Sequence, residues 1–191
     1  MSEHQFDPKH ADFLLSEERR TTLPPNEVLS HLEIQKNDKV ADLGCGNGFF
    51  TIPIAKMTDE MVTAVDAQQG MLDLLQANVE AEDIENVRYL LSDLGHIHQP
   101  DESVNKVMAA FVLHEVDDLG VALNEIKRIM KPGGKALLLE WKAKKTESGP
   151  PVDIRITEDE LLDRVQQSGF QGKIVSINDE HYGVLAELDE E

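Results

Sequence analysis

The segment Asp42-Leu43-Gly44-Cys45-Gly46-Asn47-Gly48 limits what this chain can fold into more than any other. It follows the apolar run Val40–Leu43, which reads as a strand. It precedes Phe49–Met57, which reads as a helix with Pro53 tolerable only in its first turn. Glycines between a strand and a helix let the backbone approach a ligand and take up positive φ, and amides at a helix start favour a carboxylate or phosphate. A tight turn accounts for any one of these glycines, but less well for three alternating across five residues. The spacing is Gly-x-Gly-x-Gly, not the Gly-x-Gly-x-x-Gly of dinucleotide sites. Asp42, just ahead of the loop, would oppose a pyrophosphate. It suits a ligand that carries a cationic amino group beside its carboxylate.

A strand–helix rhythm extends from this loop. Met61–Val65, Val87–Leu91, Val104–Leu113 and Ala136–Trp141 read as further strands. Gln68–Glu80 reads as a helix burying Met71, Leu72, Leu75 and Val79. A second helix carries Leu119, Ala122, Leu123, Ile126, Ile129 and Met130, and is expected to stop at Pro132-Gly133-Gly134. Thr157-Glu158-Asp159-Glu160 is a capping box that opens a helix closed by Gly169. Lys173–Ile177 and Gly183–Leu188 are joined too closely for a crossover, so they should be antiparallel. The pattern predicts an α/β fold: an open, mostly parallel, seven-stranded Rossmann-like sheet, helices on both faces, and a C-terminal antiparallel hairpin. The expected organisation is an N-terminal lid over residues 1–23 and a single domain over 24–191. In such sheets ligands sit beyond the carboxyl ends of the strands, so the loops after residues 43, 65, 91 and 113 should line one crevice.

Charge narrows the partners. Eighteen basic against 37 acidic residues give a formal net charge of −19, which disfavours nucleic acid. Lys142, Lys144 and Lys145, flanked by Glu140 and Glu147, form the only basic cluster. No apolar run is long enough to cross a bilayer and no secretory signal is visible, so no membrane insertion is expected and the cytoplasm is the default compartment. The oligomeric state is not readable. The single cysteine, Cys45, excludes an internal disulfide and a multi-thiolate metal site.

Two further acids fall at strand ends. Asp66 lies 18 residues after Gly48, where a carboxylate accepts hydrogen bonds from ribose hydroxyls. Asp93, in Ser92-Asp93, is placed to accept from an adenine amino group. A helix-capping role for Asp66 and an ordinary loop role for Asp93 are each adequate alone. Three acids at three successive strand ends beside a glycine loop are harder to ascribe to accident.

Together these segments resemble the class I S-adenosylmethionine-dependent methyltransferases, of the small single-domain, UbiE-like kind. Val40–Gly48 resembles that family's first motif, Val65-Asp66 the second, Ser92-Asp93 the third and Ala109–Val116 the fourth. Leu123–Glu140 resembles the helix, turn and fifth strand that follow, and Thr157–Phe170 the last helix. The resemblance implies S-adenosylmethionine as cofactor and S-adenosylhomocysteine as product. By position, Asp42 would hold the methionine amino group, with the loop Gly44, Cys45, Gly46, Asn47 and Gly48 against the methionine moiety. Asp66 would take the ribose, Ala67 and Met71 would flank the adenine, and Ser92, Asp93 and the Leu94 backbone would read its edge. Ala110, Phe111 and His114 would lie nearest the methyl group. The chain departs from the family at Gln68-Gln69-Gly70 and at Glu115, which bear on the acceptor more than on the cofactor.

A sulfonium already activates its methyl group, so a catalytic residue is needed only where the acceptor must lose a proton. His114 is the first candidate base and Glu115 the second, and a purely structural histidine is an equal reading. His96, His98, His114 and Glu115 are not brought together by sequence, so no metal is expected. Phe6-Asp7-Pro8, Phe13 and Arg19-Arg20 belong to the expected lid. Arg19, Arg20 and Arg155 are candidates to clamp an anionic acceptor, or else pair with Glu17, Glu18 or Asp153. The expected activity is methyl transfer to a small-molecule acceptor. The alternatives are a catalytically silent cofactor-binding regulatory module and a nucleotide-dependent oxidoreductase.

Overall fold

Val40–Leu43 forms β1, buried along its whole length at the middle of the sheet. The structure is a computed structural model that describes residues 15–190. Phe6-Asp7-Pro8 and Phe13 of the expected lid lie outside the described residues. Two short helices, α1 (Glu17–Thr22) and α2 (Pro25–Leu29), precede β1. Then follow α3 (Thr51–Met57), β2 (Val62–Asp66), α4 (Gln69–Ala81), β3 (Val87–Leu91), β4 (Val104–Ala110), α5 (Leu119–Ile129) and β5 (Met130–Trp141). The chain ends with α6 (Glu158–Gln167), β6 (Gln171–Ser176) and β7 (His181–Glu187).

The seven strands are ordered β3-β2-β1-β4-β5-β7-β6. Strands β1 to β5 pair in parallel, and β7 runs antiparallel to both β5 and β6. Strand order reverses between β1 and β4, which opens a crevice at their carboxyl ends.

Alternation along the strands divides the core. Ala136, Leu138, Val184 and Ala186 point to one face, under Leu123 and Ile126 of α5 and Leu161 and Val165 of α6. Leu137, Leu139, Leu185 and Met108 point to the other, under Val28 and Leu29 of α2 and Ile54 of α3. Met71, Leu72, Leu75 and Val79 of α4 are buried as their helical spacing predicts. Thr157 caps α6 by accepting from the Glu160 N–H at 3.3 Å, and Gly169 follows that helix at φ +86°.

Two boundaries differ from the sequence expectation. The fourth strand ends at Ala110 rather than Leu113, because Phe111 turns into the left-handed region at φ +57° and a 3-10 turn follows over Leu113–Glu115. Pro132-Gly133-Gly134 does not stop α5, which ends at Ile129. Met130 already pairs with Val104, and the next pair is Lys106 with Lys135. The proline–glycine segment is therefore an irregularity within β5.

Candidate functional site

The expected crevice is a cavity of about 1510 Å³ at the carboxyl edge of the parallel strands. Its walls come from all four expected loops and also from α1, the 147–151 loop, Trp141 and His181.

The glycine loop is held from behind by β2. The Gly44 and Cys45 N–H groups both donate to the Val65 carbonyl, at 2.8 and 3.0 Å. The Gly46 N–H donates to Asp66 Oδ2 at 3.0 Å. Three loop amides that would cradle a phosphate are thus already engaged inside the protein, which sets this loop apart from a pyrophosphate cradle. Gly44 is at φ +69°, and a Cβ there would stand 2.6 Å from a Val112 methyl. Gly48 does not line the cavity: it packs on α4, where a Cβ would stand 2.5 Å from Leu75. Its role is to close the loop onto the helix, which corrects its expected place among ligand contacts.

Asp42 is 2% exposed, and its Oδ2 accepts a hydrogen bond from Thr51 Oγ1 at 2.5 Å. Burial pushes its carboxyl up to about 7; the Thr51 hydroxyl opposes this and nearby Asp66 adds to it. A carboxyl held in this state at a cavity wall favours a cationic partner. Asp66 is fixed by backbone amides: Oδ1 accepts from the Gln68 N–H at 2.9 Å and Oδ2 from Gly46. Each oxygen keeps further acceptor capacity for a pair of hydroxyls. Burial raises the Asp66 carboxyl above its ordinary value, against the pull of those amides. Asp93 Oδ1 accepts from the Gly95 and His96 amides, at 2.8 and 3.0 Å, which shapes the loop beside Ser92 and Leu94. Cys45, Asn47, Ala67, Met71, Ser92, Leu94, Ala110 and Phe111 line the same cavity. Burial raises the Cys45 thiol well above its ordinary range, so it is an inert packing group.

His114 also lines the cavity, with its side chain 5% exposed. Its Nδ1 lies 2.9 Å from Oε2 of the fully buried Glu140. Glu140 Oε1 accepts from the Leu113 and His114 amides at 3.0 and 3.2 Å. Burial disfavours the imidazolium, but the Glu140 hydrogen bond and charge, with Glu115, outweigh it and hold the His114 pKa above the ordinary histidine value. Glu115 stands 3.9 Å from His114 Nε2. The sequence singled out His114 but not its carboxylate. The signal was an acid in an otherwise apolar central strand.

Arg155 is not an anion clamp. It is 7% exposed, and its guanidinium donates to the carbonyls of Pro150, Lys142, Lys144 and Ser148 and to the Thr146 hydroxyl. It thereby folds the 142–150 loop beside Trp141, whose ring lies 5.2 Å away. Arg19 lies over the rings of Phe49 and Phe111, at 4.5 and 5.4 Å.

Sequence reasoning missed Trp141 and His181, which face each other across the β5–β7 ladder. Their rings are 4.3 Å apart, and Phe111 lies 4.9 Å from His181. His181 is 6% exposed and neither ring nitrogen has a hydrogen-bond partner. Burial, with the charges of Arg19, Arg155 and Lys142, lowers its pKa to about 4. An unsatisfied buried polar atom costs about 1–3 kcal/mol. The left-handed Phe111 beside it adds about 1–3 kcal/mol of backbone strain. Unpaid costs of this kind concentrate at functional sites.

Among the described residues no group of three His, Cys, Asp or Glu side chains is placed to hold a metal ion. None of their helices is long and apolar enough to cross a membrane.

The sheet order, the glycine loop at its reversal point and the acid at the end of β2 define a Rossmann-like nucleoside-binding class. The profile of a family described as a methyltransferase domain matches residues 40–134. A demethylmenaquinone methyltransferase of Staphylococcus aureus is 32% identical over 115 residues, which is 59% of this chain and 47% of that enzyme. The chain thus spans about half the length of the curated relatives it matches. The crystal structure of a SAM-dependent methyltransferase from Aquifex aeolicus superposes with a TM-score of 0.89 at 28% identity, covering 96% of this chain and all of that one. The chain is therefore similar to S-adenosylmethionine-dependent methyltransferases, in sequence over residues 40–134 and in fold over nearly its whole length. The family's cofactor is S-adenosylmethionine, and the cavity suits it: Asp42 offers a buried carboxyl to an ammonium group, and Asp66 offers spare lone pairs to a diol.

Proposed function

We propose that the chain transfers a methyl group from S-adenosylmethionine to a small-molecule acceptor, with Asp42 and Asp66 on the cofactor and His114 facing the acceptor. The observation that carries this reading is the Asp42 carboxyl, buried at the cavity wall with its pKa near 7. A pyrophosphate would meet that acid and a loop whose amides are engaged, which counts against a dinucleotide-dependent oxidoreductase. When bound, S-adenosylmethionine supplies a sulfonium-activated methyl group. The residues of this chain align the acceptor, exclude water and remove its proton. The Glu140 carboxylate orients His114 through Nδ1, which would leave Nε2 to take the proton that the acceptor loses on gaining the methyl group. Glu18, Arg19 and Thr22 of α1 line the cavity, which supports a lid role for residues 1–23. Likeness to an enzyme named for demethylmenaquinone puts a ring acceptor of that kind first among compounds to try.

Calorimetric titration with S-adenosylhomocysteine and with NAD tests the cofactor half. Tight NAD binding, or no binding of S-adenosylhomocysteine, would overturn the reading. Asp66→Ala is expected to weaken S-adenosylhomocysteine by about 1–3 kcal/mol, the scale of lost charge-assisted hydrogen bonds. An unchanged dissociation constant would remove Asp66 from the ribose. Mass spectrometry for the gain of one methyl identifies the acceptor and separates an enzyme from a silent binding module. His114→Ala is expected to lower turnover while leaving S-adenosylhomocysteine affinity near wild type. A base must be neutral, so wild-type turnover should rise with pH through a value above the ordinary histidine pKa. The same pH profile in the alanine variant would make His114 structural.

A further inference from the structure

We propose that Phe111, Trp141 and His181 form the acceptor subsite, that it takes an uncharged planar aromatic compound bearing a hydroxyl or carbonyl group, and that the His181 imidazole hydrogen-bonds that group. The inference deepens the methyltransferase reading and rests on it for the word acceptor.

Three observations converge on this corner of the cavity. The first is the imidazole itself: nine-tenths buried, on the cavity wall, with both nitrogens lacking partners. A neutral imidazole carries one donor and one acceptor, so a hydroxyl or a carbonyl satisfies it equally. The lowered pKa keeps it neutral at ordinary pH.

The second is shape. The three rings lie within 5.5 Å of one another, centroid to centroid, as tilted or edge-on walls. Phe111 is held against them by left-handed backbone that a phenylalanine rarely adopts. The guanidinium of Arg19, a planar group, lies over the Phe111 ring. In the ligand-free arrangement His181's nitrogens are closed off, so a ligand must displace a wall.

The third is charge. Asp66, Asp93, Glu115, Asp117, Glu147 and Glu180 line the cavity. Among the described residues Arg19 is the one lysine or arginine on its wall. The donors of Arg155 are spent on the 142–150 loop. Acids thus outnumber cations on the wall as a whole, and this field disfavours an acceptor bearing a carboxylate or phosphate, although Arg19, Arg155 and Lys142 offset it locally at His181.

The test uses the full chain and two probes, 2-naphthol and 2-naphthoate, titrated calorimetrically with S-adenosylhomocysteine present. Trp141 is the only tryptophan, so a change in its emission locates the probe. 2-Naphthol is expected to bind about tenfold or more tightly than the naphthoate anion. His181→Phe, which keeps a ring and removes both nitrogens, should weaken 2-naphthol by about fivefold. His181→Gln, which restores a donor and an acceptor, should recover part of that loss. S-adenosylhomocysteine affinity should be unaltered in both variants. No binding of 2-naphthol to the wild type, a preference for naphthoate, or equal affinity in the phenylalanine variant would each overturn the proposal. Those results would leave the methyltransferase reading standing. Failure of S-adenosylhomocysteine to bind the wild type overturns that reading by a separate titration.

Discussion

Asp42→Asn is expected to make the ligand-free protein more stable and the cofactor complex much weaker. In the folded chain the Asp42 carboxyl sits near pH 7, against an ordinary value of 3.8. A carboxyl whose folded pKa is raised binds its proton more tightly folded than unfolded. Its ionisation therefore works against the fold, progressively, as the pH climbs from about 4 to about 7. The amide carries no such charge and can still accept from the Thr51 hydroxyl. Chemical denaturation at neutral pH should show a gain of up to about 3 kcal/mol, shrinking to nothing by about pH 4. Affinity for S-adenosylhomocysteine should fall by about tenfold or more, because the ammonium group loses its charged partner. Binding to the wild type should also release protons near neutral pH, as the partly protonated carboxyl ionises against the incoming cation. That release appears as a buffer-dependent enthalpy in calorimetry, and it should vanish in the asparagine variant. A variant no more stable than wild type that binds equally well would remove Asp42 from both roles.

Glu140 carries the second large effect. It has no exposed surface and it terminates hydrogen bonds from the Leu113 and His114 amides and from the His114 ring. Glu140→Ala is expected to cost about 3–5 kcal/mol in chemical denaturation, since every donor aimed at it is left buried without an acceptor. Glu140→Gln is the gentler variant. Its amide oxygen can still accept from the backbone, but the charge that holds His114 protonated is gone. With only Glu115 left to oppose burial, the His114 pKa should fall, and the rising limb of the pH–rate profile should move to lower pH with it. Stability follows the matching sign. A histidine with a raised folded pKa stabilises fully below about pH 6.5, and that contribution is lost as the pH passes its folded value. The gap between wild type and the glutamine variant should therefore be widest in mild acid and narrow on the alkaline side. A gap independent of pH would show that the two side chains do not share a proton equilibrium.

Much of the sheet was legible because β1 and β3 are short, mainly apolar segments between clear turns and α4 shows helical spacing. The convergence of Asp42, Asp66 and Asp93 on one cavity was legible for a related reason: each stands at or near the end of a predicted strand, and strand ends converge in this topology. The corner proposed for the acceptor was not, because it depends on where β7 docks. Nothing local in His181 distinguishes it from a surface histidine. Only the pairing of Trp141 with His181 in an antiparallel ladder carries it to the functional edge. The end of β4 was missed likewise, since Val107–Leu113 is apolar throughout and the turn at Phe111 is imposed by its surroundings. Gly48 was drawn to the ligand by its motif, although the space it leaves is filled by Leu75.

The reversed direction of β7 has an evolutionary corollary. Every parallel strand offers the pocket its finish, but this one offers its start, directly after the bend at Asn178-Asp179-Glu180. Substitutions or insertions in that bend can remodel the chamber's far wall without disturbing the β1–β4 junction. A lineage with this arrangement is free to change clientele while keeping its methyl donor.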